Sequence, residues 1–218
     1  MNDGLLTMDH GLFTISLDNI GRRFNRDWIF RRVNFTFTSG ESYAILGPNG
    51  SGKSTLLQVL NASMGPSEGK ISYTLNNAPL SHEHVYQHLA LAAPYLELIE
   101  DFSMEEMIDF HFKFKSYLPG TDKQQVISLL NLKGGAGKQI RYFSSGMKQR
   151  LKLALAFCSD TPILMLDEPT SNLDQQGVDW YLQLVGQFTR ERLTIVCSNQ
   201  PHEYAFCKHQ LNISDYKN

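Results

Sequence analysis

Apolar and polar residues alternate from Leu12 to Leu17 and again from Val33 to Phe37, which predicts two half-buried strands of a small sheet. Glu41 to Leu46 is a short, largely apolar run that ends in a glycine-rich turn, and Lys53 to Asn61 then reads as a helix. Gly65 to Gly69 is turn-like, Ile71 to Leu75 is a further strand closed by Asn76-Asn77, and Leu89 to Ala93 is an apolar segment halted by Pro94. Between Ser103 and Leu132 the period becomes helical, with Met104, Met107, Ile108 and Phe112 on one face and Val126, Leu129 and Leu130 recurring after the Pro119-Gly120 break. This stretch predicts a helical insertion. A glycine-rich loop, Gly134 to Gly137, precedes a helix expected from about Gly146 to Cys158. Ile163 to Leu166 and Leu193 to Cys197 are apolar strands on either side of a helix from about Asp174 to Arg190. The second half therefore alternates as α/β proteins with a buried parallel sheet do.

A length of 218 residues suits one domain, or a core carrying a subdomain, because single cores stop growing only beyond roughly 250 residues. Apolar residues make up 42% and charged residues 19%, the composition of an ordinary folded protein. A formal charge of -2 and a pI near 6.4 provide no global field for nucleic acid or an anionic membrane, so neither is expected as a direct partner. Arg22, Arg23, Arg26, Arg31 and Arg32 form the local exception and read as a solvated turn between strands. Cys158, Cys197 and Cys207 lack CxxC spacing, which argues against a disulfide framework or zinc site and favours a reducing cytosol. No secretory signal pattern is seen, and nowhere do about eighteen apolar residues run together, so a membrane role would need another chain to do the crossing.

The strongest chemical signal is Gly47-Pro48-Asn49-Gly50-Ser51-Gly52-Lys53-Ser54-Thr55, which satisfies G-x-x-x-x-G-K-[ST] between a predicted strand and a predicted helix. Glycines let backbone N–H groups converge on phosphate oxygens, and the following helix adds its positive end. Lys53 is expected to neutralise β and γ phosphates, Ser54 to ligate magnesium, and Thr55 to lie toward the α-phosphate. Four apolar residues, Ile163 to Leu166, then lead into Asp167-Glu168 and place two carboxyl groups at the carboxyl end of a buried strand, where open α/β sheets bind ligands. Asp167 is expected to hold the magnesium from its outer shell and Glu168 to polarise the attacking water.

Phe143-Ser144-Ser145-Gly146-Met147-Lys148-Gln149-Arg150 resembles the LSGGQ signature of the ABC ATPase family, and Asp167-Glu168-Pro169-Thr170-Ser171-Asn172-Leu173-Asp174 resembles its catalytic DEPT and D-loop. In family order these motifs span nearly the whole chain. The resemblance implies an α/β fold: a P-loop NTPase (RecA-like) core with an antiparallel β subdomain and an inserted α-helical subdomain. It implies one ABC ATPase domain over residues 1–218, with core and β subdomain at about 1–94 and 159–218 and the helical part at about 95–158. It further implies ATP and Mg2+ as cofactors, and ATP-dependent pairing in which Ser144, Ser145 and Gly146 close over the γ-phosphate held by the other subunit. An adenine-stacking aromatic is implied at Phe24, with Trp28 a second candidate, although an aromatic there also suits the core.

The expected function is an ATP-binding and hydrolysing subunit that energises a separate integral membrane permease. It would act as a homodimer or as a heterodimer with a related ATPase subunit, on the cytoplasmic face of the cell membrane and touching it only through the permease. Two departures stand out. Tyr95 occupies the family's glutamine position and Asn199 its histidine position, with His202 three residues later, which predicts retained ATP binding and slow hydrolysis. The altered signature, with Ser145 and Met147, resembles bacterial exporters of the drug, lantibiotic and haem-export type. A soluble ABC ATPase, as in iron–sulfur assembly, and a weakly catalytic ATP-sensing module are the alternatives.

Overall fold

The computed structural model describes residues 10–132 and 137–217; most of the predicted Gly134 to Gly137 loop lies outside them. Strand β1 (Phe13–Phe24) turns at Asn25-Arg26 into β2 (Asp27–Thr38), an antiparallel hairpin that extends beyond the two strands expected from alternation. Asn19 (φ 52°) and Arg32 (φ 57°) adopt left-handed backbone, and the pairing of β1 with β2 shifts between Leu17 and Ile20. Bulges of this kind add an unpaired residue and break the two-residue period, so alternation stops short of the strand ends. Of the arginine cluster, Arg26 occupies the turn, whereas Arg31 is fastened to Glu68 by paired hydrogen bonds of 2.9 Å.

Strand β3 (Ser42–Leu46) leads through the phosphate-type loop into helix α1 (Lys53–Leu60), and β4 (Glu68–Leu75) and the short β5 (Ala78–Leu80) complete the first sheet. Its order is β2-β1-β4-β5, antiparallel throughout. After β6 (Leu89–Ala92) come α2 (Met104–His111), α3 (Lys123–Leu130) and α4 (Ser145–Phe157). The chain then continues through β7 (Ile163–Asp167), α5 (Gln175–Phe188), β8 (Leu193–Cys197), the single-turn α6 (Pro201–Tyr204) and the edge strand β9 (His209–Asn212). A parallel sheet, β6-β7-β8-β3-β9, holds the centre.

Both faces of this sheet are covered, which explains the unbroken apolar runs. Leu164, Leu166 and Val196 face a core shared with α2 to α5, while Ile163, Met165 and Ile195 face α1 and the antiparallel sheet. On α2, Met104, Met107 and Ile108 are buried as the helical period requires, and a capping box between Ser103 and Glu106 starts the helix. The helix ends at Phe112, which stacks on Tyr117 with ring centroids 3.6 Å apart. Of the aromatic residues in this stretch, Phe110, Phe112 and Tyr117 pack on the core, and Phe114 is 73% exposed.

Candidate functional site

The carboxyl ends of four neighbouring strands, β6, β7, β8 and β3, carry Tyr95, Asp167-Glu168, Asn199 and the glycine loop respectively. The loop follows from its glycines at two critical points. At Gly52 φ is 107° and a Cβ would come within 2.4 Å of Ile29 Cγ2; at Gly47 φ is 146° and a Cβ would approach Ser51 Oγ to 2.6 Å. Helix α1 is capped by Gly52, which has no side chain to accept from the first N–H groups of the helix. Lys53 is buried, and its Nζ donates to the carbonyls of Gly47 at 2.8 Å and Pro48 at 3.3 Å. Residues Asn49, Gly50, Ser51, Gly52, Lys53, Ser54 and Thr55 line a cleft of about 220 Å³ with Ile29 and Glu168.

Asp167, 1% exposed, ends β7 opposite Cys197 of β8. Burial pushes its carboxyl group up to about 6, the hydrogen bond from Ser54 opposes that rise, and the neighbouring Glu168 adds to it. Two buried oxygens around the loop, Asp167 Oδ1 and Ser51 Oγ, have no hydrogen-bond partner within the protein. Buried polar atoms are rarely left unpaired, so both suit contact with a ligand. Among the described residues no group of three or more His, Cys, Asp or Glu side chains could hold a metal. A magnesium ion, which keeps waters and phosphate oxygens around it, needs only the Ser54 hydroxyl and Asp167, and these two are together.

Glu168 has φ 42°, an uncommon conformation for a side-chain-bearing residue, and its N–H donates to the Cys197 carbonyl at 2.9 Å. It lines both the phosphate-loop cleft and a larger one of about 380 Å³ that includes Asn49, Asn199 and His202. Asn199 reaches across by donating from Nδ2 to Asn49 Oδ1 at 2.6 Å. Tyr95 is 44% exposed, and its phenol is pushed up to about 12 by burial, with the charge of nearby Asp167 adding to the rise; it shares a hydrogen bond with Gln58.

The signature residues lie elsewhere. Ser144 caps α4, accepting from the Met147 N–H at 3.2 Å, and a Cβ on Gly146 would sit 2.9 Å from the Asn172 carbonyl. Ser144, Ser145 and Gly146 line a cleft of about 310 Å³ with Asn172, Leu173 and Asp174, and this cleft shares no lining residue with the phosphate-loop cleft. Phe24 also stands apart: it closes β1 at 43% exposure under the Arg22 guanidinium, 4.8 Å from the ring centre, and it does not line the phosphate-loop cleft. Trp28 is flanked by Arg23 and Arg31 at 5.4 and 4.2 Å.

Several residues that sequence reasoning passed over bind these parts together. Gln149 on α4 donates to the Pro169 carbonyl at 2.9 Å, and Lys152 donates to the carbonyls of Ala93 and Pro94, each at 3.1 Å, just before Tyr95. Glu203 is buried between the segment after Glu168 and the segment leading to Asn199. The signals in sequence were slight: a glutamine and a lysine in a basic helix, and a glutamate on a one-turn helix.

A glycine loop joining strand to helix, with an acidic pair at the end of a nearby strand in a parallel sheet, defines the P-loop NTPase class of fold. The model of the ABC transporter family matches residues 30–171, more than half of the chain, and the chain belongs to that family. It is 29% identical over 82% of its length to an uncharacterised ABC transporter ATP-binding protein, YcbN, of Bacillus subtilis, and 32% identical over 75% to Nod factor export ATP-binding protein I of Burkholderia lata. These matches span 58% and 55% of those two relatives. The lantibiotic transport ATP-binding protein SrtF of Streptococcus pyogenes is 28% identical over 85% of the chain and 79% of its own length. Among solved structures, the dimeric bacterial ABC transporter cassette MJ0796 superposes with a TM-score of 0.77 at 21% identity, covering 91% of this chain and 94% of that one. A bacterial Atm1-family ABC exporter with ATP bound gives 0.76 at 22%, covering 93% and 37%. At these identities the structures establish the likeness of fold.

Proposed function

We propose that this chain is the ATP-binding and hydrolysing subunit of an ABC transporter, working in a pair and driving a separate integral membrane permease. The observation that carries the reading is the meeting of Lys53, Ser54, Asp167 and Glu168 at the ends of adjacent strands, while the serines of the signature line a separate cleft. Lys53 and the loop N–H groups bind the triphosphate, Ser54 and Asp167 hold Mg2+, and Glu168 takes up proton density from the attacking water. The metal supplies charge neutralisation on the phosphate oxygens. Ser144, Ser145 and Gly146 serve the nucleotide of the neighbouring subunit, whether an identical chain or a related one. Residues at about 95–158 form the helical part that meets the permease, and the remainder forms the nucleotide-binding core and β subdomain. No helix among the described residues is long and apolar enough to cross a membrane, which fits a subunit that reaches the cytoplasmic face of the membrane through its permease.

Phosphate release from ATP tests the reading. Release should be abolished by Lys53→Ala and by Glu168→Gln, and a membrane permease should co-purify with the chain. Release that survives Glu168→Gln would overturn the assignment of the base. Tyr95 beside Asp167, and Asn199 in place of a histidine, favour a second reading, a slow ATP-sensing module. It requires ATP-dependent pairing without Glu168-dependent release.

A further inference from the structure

Backbone pairing between β7 and β8 runs to Asp167 and Cys197, and the Glu168 N–H adds one further bond to the Cys197 carbonyl. Beyond that point the two segments are joined by a side chain. Glu203, 1% exposed on α6, accepts through one carboxyl oxygen from the Thr170 N–H at 2.7 Å and from the Thr170 hydroxyl, and through the other from the Ser198 hydroxyl. All three donors come from outside its own helix. They belong to residues two after Glu168 and one before Asn199. The Tyr181 hydroxyl on α5 fixes the backbone of Glu203 by donating to its carbonyl at 2.8 Å, and the His202 Nε2 lies 3.0 Å from Thr170 Oγ1.

A buried carboxyl group is costly unless its oxygens are satisfied, and leaving its donors unmatched is costly as well. Packing alone is met more cheaply by an apolar residue, so the group does something an apolar residue cannot. What it does is visible in the backbone it grips. Glu168 sits at φ 42°, a conformation that persists only where the surroundings over-determine it. The Glu168 N–H bond to Cys197, the Ser171 N–H bond to the Glu168 carbonyl at 3.0 Å and the hold of Glu203 on Thr170 supply that constraint. On the other side, Ser198 leads directly to Asn199, which is tied to Asn49 in the phosphate loop. A continuous polar path thus runs from the Glu168 segment through Glu203 to the phosphate loop.

We propose that Glu203 is a positioning residue for the ATPase site, setting the placement of Glu168 against the phosphate loop by holding Thr170 and Ser198 at a fixed separation. This rests on the ATPase reading above. Glu203→Met keeps the bulk and removes the acceptors, whereas Glu203→Gln keeps one acceptor oxygen and an amide that can donate to the Ser198 hydroxyl. Single-turnover phosphate release should fall about 10- to 100-fold in Glu203→Met, the range seen when a residue supporting a catalytic group is removed. Affinity for a fluorescent ATP analogue should remain near that of the unaltered chain, and Glu203→Gln should recover most of the rate. If Glu203→Met does not fold, Thr170→Val, which removes one donor, should lower the rate at unchanged affinity. Unimpaired release in whichever variant is measured, or a fall matched by an equal loss of nucleotide affinity, would overturn the proposal. An unaltered chain that shows no Glu168-dependent release would instead overturn the ATPase reading, and this inference with it.

Discussion

The Lys53 ammonium is held over its own loop by the Gly47 and Pro48 carbonyls, which fixes a cation where phosphate oxygens would meet the N–H groups opening α1. A charge-assisted hydrogen bond contributes about 1.5–3 kcal/mol, so Lys53→Ala should weaken ATP binding about 10-fold or more in a fluorescent-nucleotide titration. Unchanged affinity would contradict that role. At Tyr95 the expectation runs the other way. A half-exposed neutral phenol beside Asp167 is a poor stand-in for a carboxamide that can reach a metal. Tyr95→Gln should therefore raise steady-state phosphate release several-fold, and a rate at or below that of the unaltered chain would show that Tyr95 does not slow the reaction. The residues with regular spacing, Gly47 to Thr55 and Asp167-Glu168, were legible because their chemistry is local in sequence. Glu203 was not, because its partners Thr170 and Ser198 are brought to it only by the register of β7 against β8.

Among the elements, the helices and the buried parallel strands were the most readable. The ends of α4 and α5 fall within two residues of their predicted limits because a single face or both faces are consistently apolar. The edge strands β5 and β9 carry too few buried residues to leave a pattern, and the alternation in β1 stops at its bulge although the strand continues to Phe24. Ser144 serves locally as the cap of α4, so Ser144→Ala should cost about 1 kcal/mol of stability in urea unfolding. Any larger loss in ATP-dependent pairing then reports on the signature role. Helix α2 is fastened at its end by His111, whose Nε2 lies 2.8 Å from Ser159 Oγ. Burial pushes this ring from 6.5 down to about 4. The unfolded chain therefore takes up the proton first as the pH falls, so the contribution is complete above 6.5 and is lost toward 4. Between pH 7 and 5 the unaltered chain should lose about 2 kcal/mol more stability than His111→Gln, measured by urea unfolding. Parallel losses in the two proteins would contradict the assignment.

At the scale of the whole molecule, the parallel sheet brings phosphate loop, acids and Asn199 to one edge, while α4 presents Ser144 to Gly146 at a different cleft. On the function proposed above, one chain carries two halves of a nucleotide site, the phosphate loop and the signature serines, in separate clefts. On that proposal, joining two chains head to tail would complete both sites at once, with ATP as the bond between subunits. The most direct test is the mass of Glu168→Gln in solution by light scattering, with ATP and Mg2+ and then with ADP. A mass that doubles with ATP, stays single with ADP and stays single with ATP when Lys53→Ala is added is the predicted result. A single mass under saturating ATP, with nucleotide shown to be bound, would contradict it.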